Sequence, residues 1–189
     1  MKISKQSTKI LYLIADGYNY NAKLSKFLKK SKATLNSQLN ELKKSQLIKG
    51  IKKPGNITEY DLNYDKFSEI IIDLLNETDI EYQKKQSKIS KLDIKEAETA
   101  VKSAFQSEFF QSIFKEHFSV CLVELIELKQ SLSLFLRGLG SFTKDDFKKL
   151  KPDQAKPLQI MYKYARNFYF KDLIFNPAFI LKQRILNNK

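Results

Sequence analysis

Cysteine, histidine and arginine are scarce in this chain of 189 residues, which holds one cysteine, one histidine and three arginines. Cys121 has no partner for a disulfide bond within the chain, and the start of the sequence shows no signal-peptide pattern, so we expect a protein of the reducing cytoplasm. His117 and Cys121 are four residues apart, but two such side chains are too few for a metal site. We therefore expect no metal and no cofactor.

Long apolar runs are also missing. The N-terminal segment has a short apolar core that Asp16 and Gly17 interrupt, and the most apolar stretch, residues 120–136, contains Glu124, Glu127 and Lys129. These stretches are too short or too charged to direct export or to span a bilayer. We expect a buried helix over residues 120–136 and no membrane partner.

The sequence contains no recognisable catalytic constellation. The segment RGLGSF, residues 137–142, follows no predicted strand and lacks the Lys-Ser/Thr pair of a phosphate-binding loop, so we interpret it as a turn that ends a helix. Asp145 and Asp146 stand at a predicted helix N-terminus, where the helix dipole alone accounts for paired acids. We therefore predict that the protein is not an enzyme.

Charge is plentiful, and it is distributed unevenly. The net charge is +13, and the 42% share of hydrophobic residues is ordinary for a globular protein. Residues 1–53 hold 13 lysines against two acidic residues, residues 54–135 carry a net charge of −6, and residues 136–189 carry +8. An AT-rich coding sequence would explain the preference for lysine over arginine, but not the scarcity of acids in the first third. The layout favours an electrostatic binding surface in that region.

The first 75 residues show clear start and stop signals for helices and strands. Apolar spacing predicts helices over residues 5–15, 22–29 and 32–44, with Phe27 on the buried side of the second and Ser31 capping the third. The segments LIKGIK (47–52) and ITEYDL (57–62) are predicted to form antiparallel strands joined by KPGN. We also expect a short extended connector at YNYN (18–21) and a helix over residues 65–75 capped by Asp65.

The rest of the chain is predicted to be helical. Residues 76–92 are polar without steady periodicity, and we interpret them as a linker or as a solvated extension of the preceding helix. Residues 93–189 should form an all-helical domain, which holds 12 of the 14 phenylalanines. Its candidate helices span residues 93–116, 117–137, 143–150, 155–174 and 177–187, and Thr143 is expected to cap the third of them.

The helix predicted over residues 32–44 carries Leu35, Leu39 and Leu42 on one apolar stripe. The opposite face of the helix carries Ala33, Ser37, Asn40 and Lys44. Asn36 and Glu41 lie on the flanks of that face, and Lys32 and Thr34 lie in the first turn. Small residues let a helix approach the floor of a DNA groove, asparagine amides can bond the edge of adenine, and lysine contacts phosphate or guanine. Any surface helix is polar on its outer face, however. This face alone therefore does not distinguish a DNA-binding helix from an ordinary solvent-exposed helix.

The order of the predicted elements resembles the winged helix-turn-helix domains of prokaryotic MarR/ArsR-like transcription regulators. The matching segments are KLSKFLKKSKATLNSQLNELKKSQLIKGI (23–51), the wing KKPGN (52–56) and the return strand ITEYDLN (57–63). The resemblance covers about residues 5–75. It implies a mainly α fold, in which a winged helix-turn-helix of three helices and a β-hairpin wing (residues 1–75) precedes a helical C-terminal domain (93–189). Two positions depart from the family pattern, because Gln46 replaces a frequent glycine and the wing tip carries no arginine.

The resemblance implies a sequence-specific transcription regulator that binds double-stranded DNA with helix 32–44 in the major groove. The residues nearest the bases would be Lys32, Thr34, Asn36, Ser37 and Asn40, and the phosphate contacts would come from Lys29, Lys30, Lys44, Lys52 and Lys53. With only Lys52, Lys53 and Asn56 at its tip, the wing would contact mainly the DNA backbone. Winged helices also serve as protein-interaction or assembly factors of replication and transcription machinery, and the same lysines could read RNA shape.

The role of the second half is less defined by the sequence. Apolar residues between positions 101 and 136 cover more than one helix face, which favours homodimerisation through the C-terminal helices beside an ordinary helical core. A pocket for a small-molecule effector is neither supported nor excluded. The basic C-terminus could extend the DNA footprint or dock on the acidic middle segment, and its cations are Arg166, Lys171, Lys182, Arg184 and Lys189.

Overall fold

Helices dominate the described part of the chain, and a β-hairpin follows the third of them. A computed structural model describes residues 3–85, 94–124, 126–165 and 184–187. The elements in chain order are α1 (Lys5–Ala15), α2 (Asn21–Leu28), α3 (Lys32–Lys44), β1 (Ile48–Lys53), β2 (Ile57–Leu62), α4 (Tyr64–Lys85), α5 (Ile94–Gln106), α6 (Glu108–Glu124), α7 (Leu128–Gly140), α8 (Lys144–Lys148) and α9 (Pro152–Ala165). The mainly helical fold predicted from the sequence is confirmed, and the element order is compatible with a winged-helix layout.

The hairpin of β1 and β2 is antiparallel and in the predicted place. Its register runs from Ile48 opposite Leu62 to Lys53 opposite Ile57. A single 3-10 turn over Pro54–Asn56 joins the strands, with Gly55 at a φ of 78°. Glycine tolerates this left-handed backbone without strain, so the turn can be tight.

The predicted extended connector before α2 holds the base of the hairpin. Tyr20 forms a β-bridge with Glu59, and the amide of Tyr60 donates a hydrogen bond to the carbonyl of Asn19 at 2.8 Å. β2 is therefore bonded to β1 on one edge and to the connector on the other. The hairpin is anchored to the start of α2 as well as to the end of α3.

At the end of α3, Gln46 occupies a backbone position that favours glycine. Gln46 adopts a left-handed φ of 57°. Its amide bonds the carbonyl of Lys43 at 2.9 Å, and the amide of Leu47 bonds the carbonyl of Leu42 at 3.0 Å. These two bonds form a Schellman motif, which places the left-handed residue directly after the helix cap.

Replacing Gln46 with glycine should therefore raise the free energy of unfolding by up to about 1 kcal/mol, because a residue with a Cβ is strained in the left-handed region. The Gln46 side chain is exposed, so little packing is lost. Chemical denaturation followed by circular dichroism measures the change. Gln46→Ala is the matched control, since it removes the same side chain but keeps the strain. A glycine variant less stable than the alanine variant would contradict the explanation.

Two expectations for the N-terminal half are wrong. Phe27 is not on the buried side of α2: 47% of it is exposed, and its ring lies against Tyr18 at a centroid distance of 4.7 Å. The sequence predicts Leu24, Phe27 and Leu28 on the buried side, but of these three Leu24 alone is fully buried, because α2 is short and packs on α3. Asp65 does not cap α4, which begins at Tyr64, and the Asp65 carboxylate instead pairs with Lys49 at 2.7 Å.

Helix boundaries in the second half differ from those predicted. The expected break at residues 116–117 is wrong, since α6 runs through His117, and the chain leaves the helix at Ser107 and before Leu128. The Ser107 hydroxyl accepts from the amide of Phe110 at 3.4 Å, while the Gln111 side chain donates to the carbonyl of Phe105 at 2.7 Å. Side chains thus hydrogen-bond to backbone groups at the end of α5 and at the start of α6, although the helical spacing of apolar residues continues across Ser107.

Thr143 does cap α8, as predicted, through reciprocal bonds with Asp146 that form a capping box. α4 continues without a break to Lys85, so the first part of the segment predicted as a linker or helix extension is helical. Residues 86–93 and 166–183 lie outside the described residues, together with most of the helix predicted over residues 177–187 and four of the five C-terminal cations.

The core is continuous from α1 to α9. Rings from three helices meet at Phe118 of α6, whose centroid lies 5.1 Å from that of Tyr12 in α1 and 5.4 Å from that of Phe67 in α4. α6 also packs on α5, α7 and α9. The several apolar faces of α6 are thus covered within the chain, and homodimerisation, which those faces had suggested, stays a prediction.

The described helices include none with the length and the apolar content needed to cross a membrane.

Candidate nucleic-acid interface

The exposed face of α3 carries the residues predicted to lie near DNA bases. The Ser31 hydroxyl accepts from the amide of Thr34 at 3.2 Å and starts the helix as expected. Leu35, Leu39 and Leu42 are buried. All the predicted base-contacting residues are exposed: Lys32, Thr34, Asn36, Ser37 and Asn40. This face therefore offers hydroxyl and amide groups, which both donate and accept hydrogen bonds, beside a lysine at its start.

Glu41, the one acidic residue of α3, is fixed against α1. Its carboxylate accepts from the amide of Ser4 at 3.0 Å and from the hydroxyl groups of Ser4 and Ser7. The bond from the Ser7 hydroxyl and then that from the Ser4 amide lower the pKa of Glu41. The negative charge is held at the N-terminus of α1, where the helix dipole also favours it. Repulsion between this carboxylate and an anion bound on the exposed face of α3 is thereby reduced.

The two lysines of the turn between α2 and α3 have different environments. Lys29 is exposed and ends α2 with a left-handed φ of 52°. Lys30 is half-buried, and its ammonium donates to the Gln6 side chain at 2.6 Å and to that of Gln38 at 3.4 Å. Lys30 thus ties the turn to α1, whereas Lys29 presents its charge to solvent.

The predicted wing residues Lys52, Lys53 and Asn56 are all exposed, as is Lys44 at the end of α3. Lys53 pairs with Glu59 at 3.1 Å, and this contact raises the pKa of the Lys53 ammonium. Asn56 takes a left-handed φ of 57° at the tip of the turn. The register places Lys52 opposite Thr58 and therefore on the other face of the hairpin from Lys53.

Two clefts flank the first turn of α2 and bring α2, α3 and the wing into one surface. The cleft between α2 and the wing has a volume of about 530 Å³ and is lined by Tyr20, Asn21, Ala22, Lys23, Lys53, Asn56, Ile57 and Thr58. The cleft between α2 and α3 has a volume of about 450 Å³ and is lined by Asn21, Ala22, Ser25, Lys26, Lys32, Leu35 and Asn36. Asn36 is therefore directed to α2, and its side chain accepts from that of Asn21 at 3.4 Å.

Sequence reasoning missed three polar residues of this surface, namely Asn21, Lys23 and Lys26. The absence of any acidic residue in α2 could have indicated them, because amide N–H groups at a helix start and nearby lysines both favour anions. Together with α3 and the wing, these side chains form a cationic and hydrogen-bonding surface. Such a surface can hold phosphates and meet the edges of bases.

A second polar cluster lies inside the helical core. His117 is fully buried, and its Nε2 donates to the carbonyl of Ser131 at 2.7 Å, while the Ser131 hydroxyl lies 3.2 Å from Cys121 Sγ. Burial lowers the pKa of His117 to about 4. The Tyr12 hydroxyl donates to the carbonyl of Ile126 at 2.7 Å, and burial raises its pKa. His117 and Cys121 are both fully buried, and their burial keeps them out of reach of a substrate.

Among the described residues, no three side chains of His, Cys, Asp or Glu gather to hold a metal ion. Comparisons with protein-family models, with curated proteins and with solved structures found no match.

Proposed function

We propose that the protein is a sequence-specific transcription regulator that binds double-stranded DNA through a winged helix-turn-helix. The observation that carries the proposal is the exposed face of α3, where amide and hydroxyl side chains lie beside lysines while the only carboxylate of the helix is bonded to α1. The residues and the order of elements that resemble MarR/ArsR-like regulators support the same function.

In this proposal α3 lies in the major groove. Asn36, Ser37 and Asn40 meet base edges, with Lys32 and Thr34 at the entry of the helix, since asparagine can bond adenine in two places. Lys29, Lys44 and Lys52 contact phosphates, and the Lys23 and Lys26 side chains add contacts along the clefts beside α2. Lys30 and Lys53 already have protein partners, so they contribute mainly by keeping the surface positive.

The first test is selection from a pool of random duplexes, followed by titration of the enriched duplex against salt. Enrichment of an inverted repeat would support a two-fold regulator, because dimers of this type read paired half-sites. A steep salt dependence without enrichment would contradict sequence-specific recognition and indicate a non-specific or RNA-directed binder. Absence of binding at moderate salt would refute the proposal and favour a protein-interaction or assembly role.

Replacing Asn36 or Asn40 with alanine should reduce discrimination between the preferred duplex and its single-base variants by about 1–3 kcal/mol, because a bidentate amide contact is lost. Lys52→Ala is the matched control: it should weaken binding to all duplexes alike and lower the slope of affinity against salt by about one unit. Fluorescence anisotropy with the enriched duplex and its variants measures both effects. If neither asparagine variant changes affinity or preference, α3 does not read the bases.

A further inference from the structure

The outward face of the hairpin breaks the alternation of polar and apolar residues that the two strands otherwise follow. The other face packs on the helices through Ile48, Tyr60 and Leu62, which are buried. By register, the outward face carries Lys49, Ile51, Lys53, Ile57, Glu59 and Asp61. Ile51 is 46% exposed and Ile57 is 52% exposed. Two large apolar side chains therefore stand diagonally across the strands in solvent, where this face is otherwise charged.

The charged neighbours of the isoleucine pair have partners of their own. Lys53 pairs with Glu59 at 3.1 Å, Lys49 pairs with Asp65 of α4 at 2.7 Å, and Asp61 pairs with Lys115 of α6 at 2.9 Å. These ion pairs fix the side chains that frame the patch. What the outward face offers to a partner is consequently the isoleucine pair itself, with Ile57 directly after the turn at the tip.

The two lysines and the two acidic residues of this face balance each other, but the region around the face is basic and favours an anionic partner. Residues 1–53 carry a net charge of +11, and the cleft that includes Ile57 also includes Lys23 and Lys53. The same end of a second copy of the chain carries the same net charge of +11, so two such ends would repel each other. Duplex DNA is anionic and also accepts apolar side chains, because phosphates flank its minor groove and its stacked base steps accept apolar wedges such as isoleucine.

We propose that Ile57, supported by Ile51, enters the minor groove of DNA bound to α3 and opens one base step, which bends the duplex. The inference rests on the proposed function and adds a second source of sequence preference to it. Pyrimidine–purine steps unstack most easily, so the wing selects sites by deformability. This mode of contact does not need an arginine at the wing tip, and the tip of this wing has none.

The test uses the full chain and a set of short duplexes of one base composition, in which a single TA step is moved along the sequence. Each duplex carries 2-aminopurine beside the step, as a reporter of unstacking, and a pair of dyes at its ends, as a reporter of bending. With the wild-type protein we expect the duplex with the step at one particular position to bind most tightly. In that duplex the 2-aminopurine fluorescence should rise and the two end dyes should come closer together. With Ile57→Ala we expect about tenfold weaker binding to that duplex, loss of both signals and an unchanged salt slope.

Val123→Ala is the matched control, because Val123 is an apolar residue of α6 that is 85% exposed, and this change should leave every readout as it was. Ile57→Leu should retain most of the brightening. The inference fails, and the proposed function stands, if the wild type binds without unstacking or bending and Ile57→Ala and Ile51→Ala bind equally well. It also fails if these variants change only self-association in sedimentation, which would make a second copy the occupant. If the wild type binds none of the duplexes, the inference and the proposed function fail together.

Discussion

Replacing Phe118 with alanine is expected to lower the free energy of unfolding by about 3–5 kcal/mol, the largest effect of any substitution considered for this protein. Phe118 is fully buried in α6, and its ring lies 4.6 Å from Phe114, 5.1 Å from Tyr12 and 5.4 Å from Phe67, measured between centroids. Alanine would leave a cavity between α1, α4 and α6 that rigid helices cannot close. It would also remove two of the aromatic contacts, those with Tyr12 and Phe67, through which the first 75 residues pack on the helices that follow.

The change is measured by denaturant unfolding, with far-ultraviolet circular dichroism as the readout. Val123→Ala on the same helix is the control, because that side chain is 85% exposed and its loss should change stability by less than about 0.5 kcal/mol. A Phe118→Ala protein as stable as wild type would show that the packing between α1, α4 and α6 is not formed in solution. If the denaturation midpoint of the Phe118→Ala protein falls and the unfolding curve still shows a single transition, the result would support unfolding of the protein as one cooperative unit.

The second large effect is a loss of stability in mild acid that depends on His117. Its ordinary pKa is 6.5, and full burial lowers the pKa in the folded protein to about 4. Between these two values the unfolded chain binds a proton that the folded chain does not, so stability falls as the pH falls through this range. The difference in pKa corresponds to about 3 kcal/mol, all of it lost once the pH is below both values. Tyr12 of α1 brings no negative charge at these pH values to offset a buried imidazolium, because burial raises the pKa of its hydroxyl group.

His117→Gln removes the titrating group and keeps an amide donor for the Ser131 carbonyl. We expect the variant to lose about 3 kcal/mol less stability than wild type between pH 6.5 and 4, whatever its absolute stability. Carboxylates such as Glu41 also lose their contribution in acid, since the folded state lowers the pKa of Glu41. They do so in both proteins and therefore cancel in the comparison. Parallel curves of stability against pH for the two proteins would contradict the neutral, buried histidine.

Local patterns in the sequence predicted the N-terminal half well. The bounds of α3 follow from the Ser31 cap and from leucines spaced along one stripe, and both kinds of information lie within a few residues of the helix. The hairpin follows in the same way from Pro54 and Gly55 between two strand-like segments. The exposed positions on α3 then follow from helical geometry, because burying Leu35 and Leu39 fixes the orientation of the rest.

The parts that the sequence did not predict depend on contacts between distant residues. Glu41 has its partners in Ser4 and Ser7, and Lys30 has one in Gln6, more than twenty positions away. No pattern within α3 indicates that its acid is held by α1. The break at Ser107 was missed for a different reason, since the polar residues 106–108 separate two apolar segments whose helical spacing continues on both sides.

The packing of α1 has a practical consequence for any attempt to isolate the first 75 residues, for which we propose DNA binding. α1 lies against α3 on one side and α6 on the other, and the Tyr12 hydroxyl donates to the carbonyl of Ile126. A fragment that stops at residue 75 would lack the ring partners of Tyr12 and Phe67 and would expose the apolar surface that these residues form. Such a fragment should aggregate or precipitate during purification. Failure of the truncated protein to bind DNA would therefore reflect its aggregation and would not test the proposed function. Tests of the proposed DNA binding should therefore use all 189 residues.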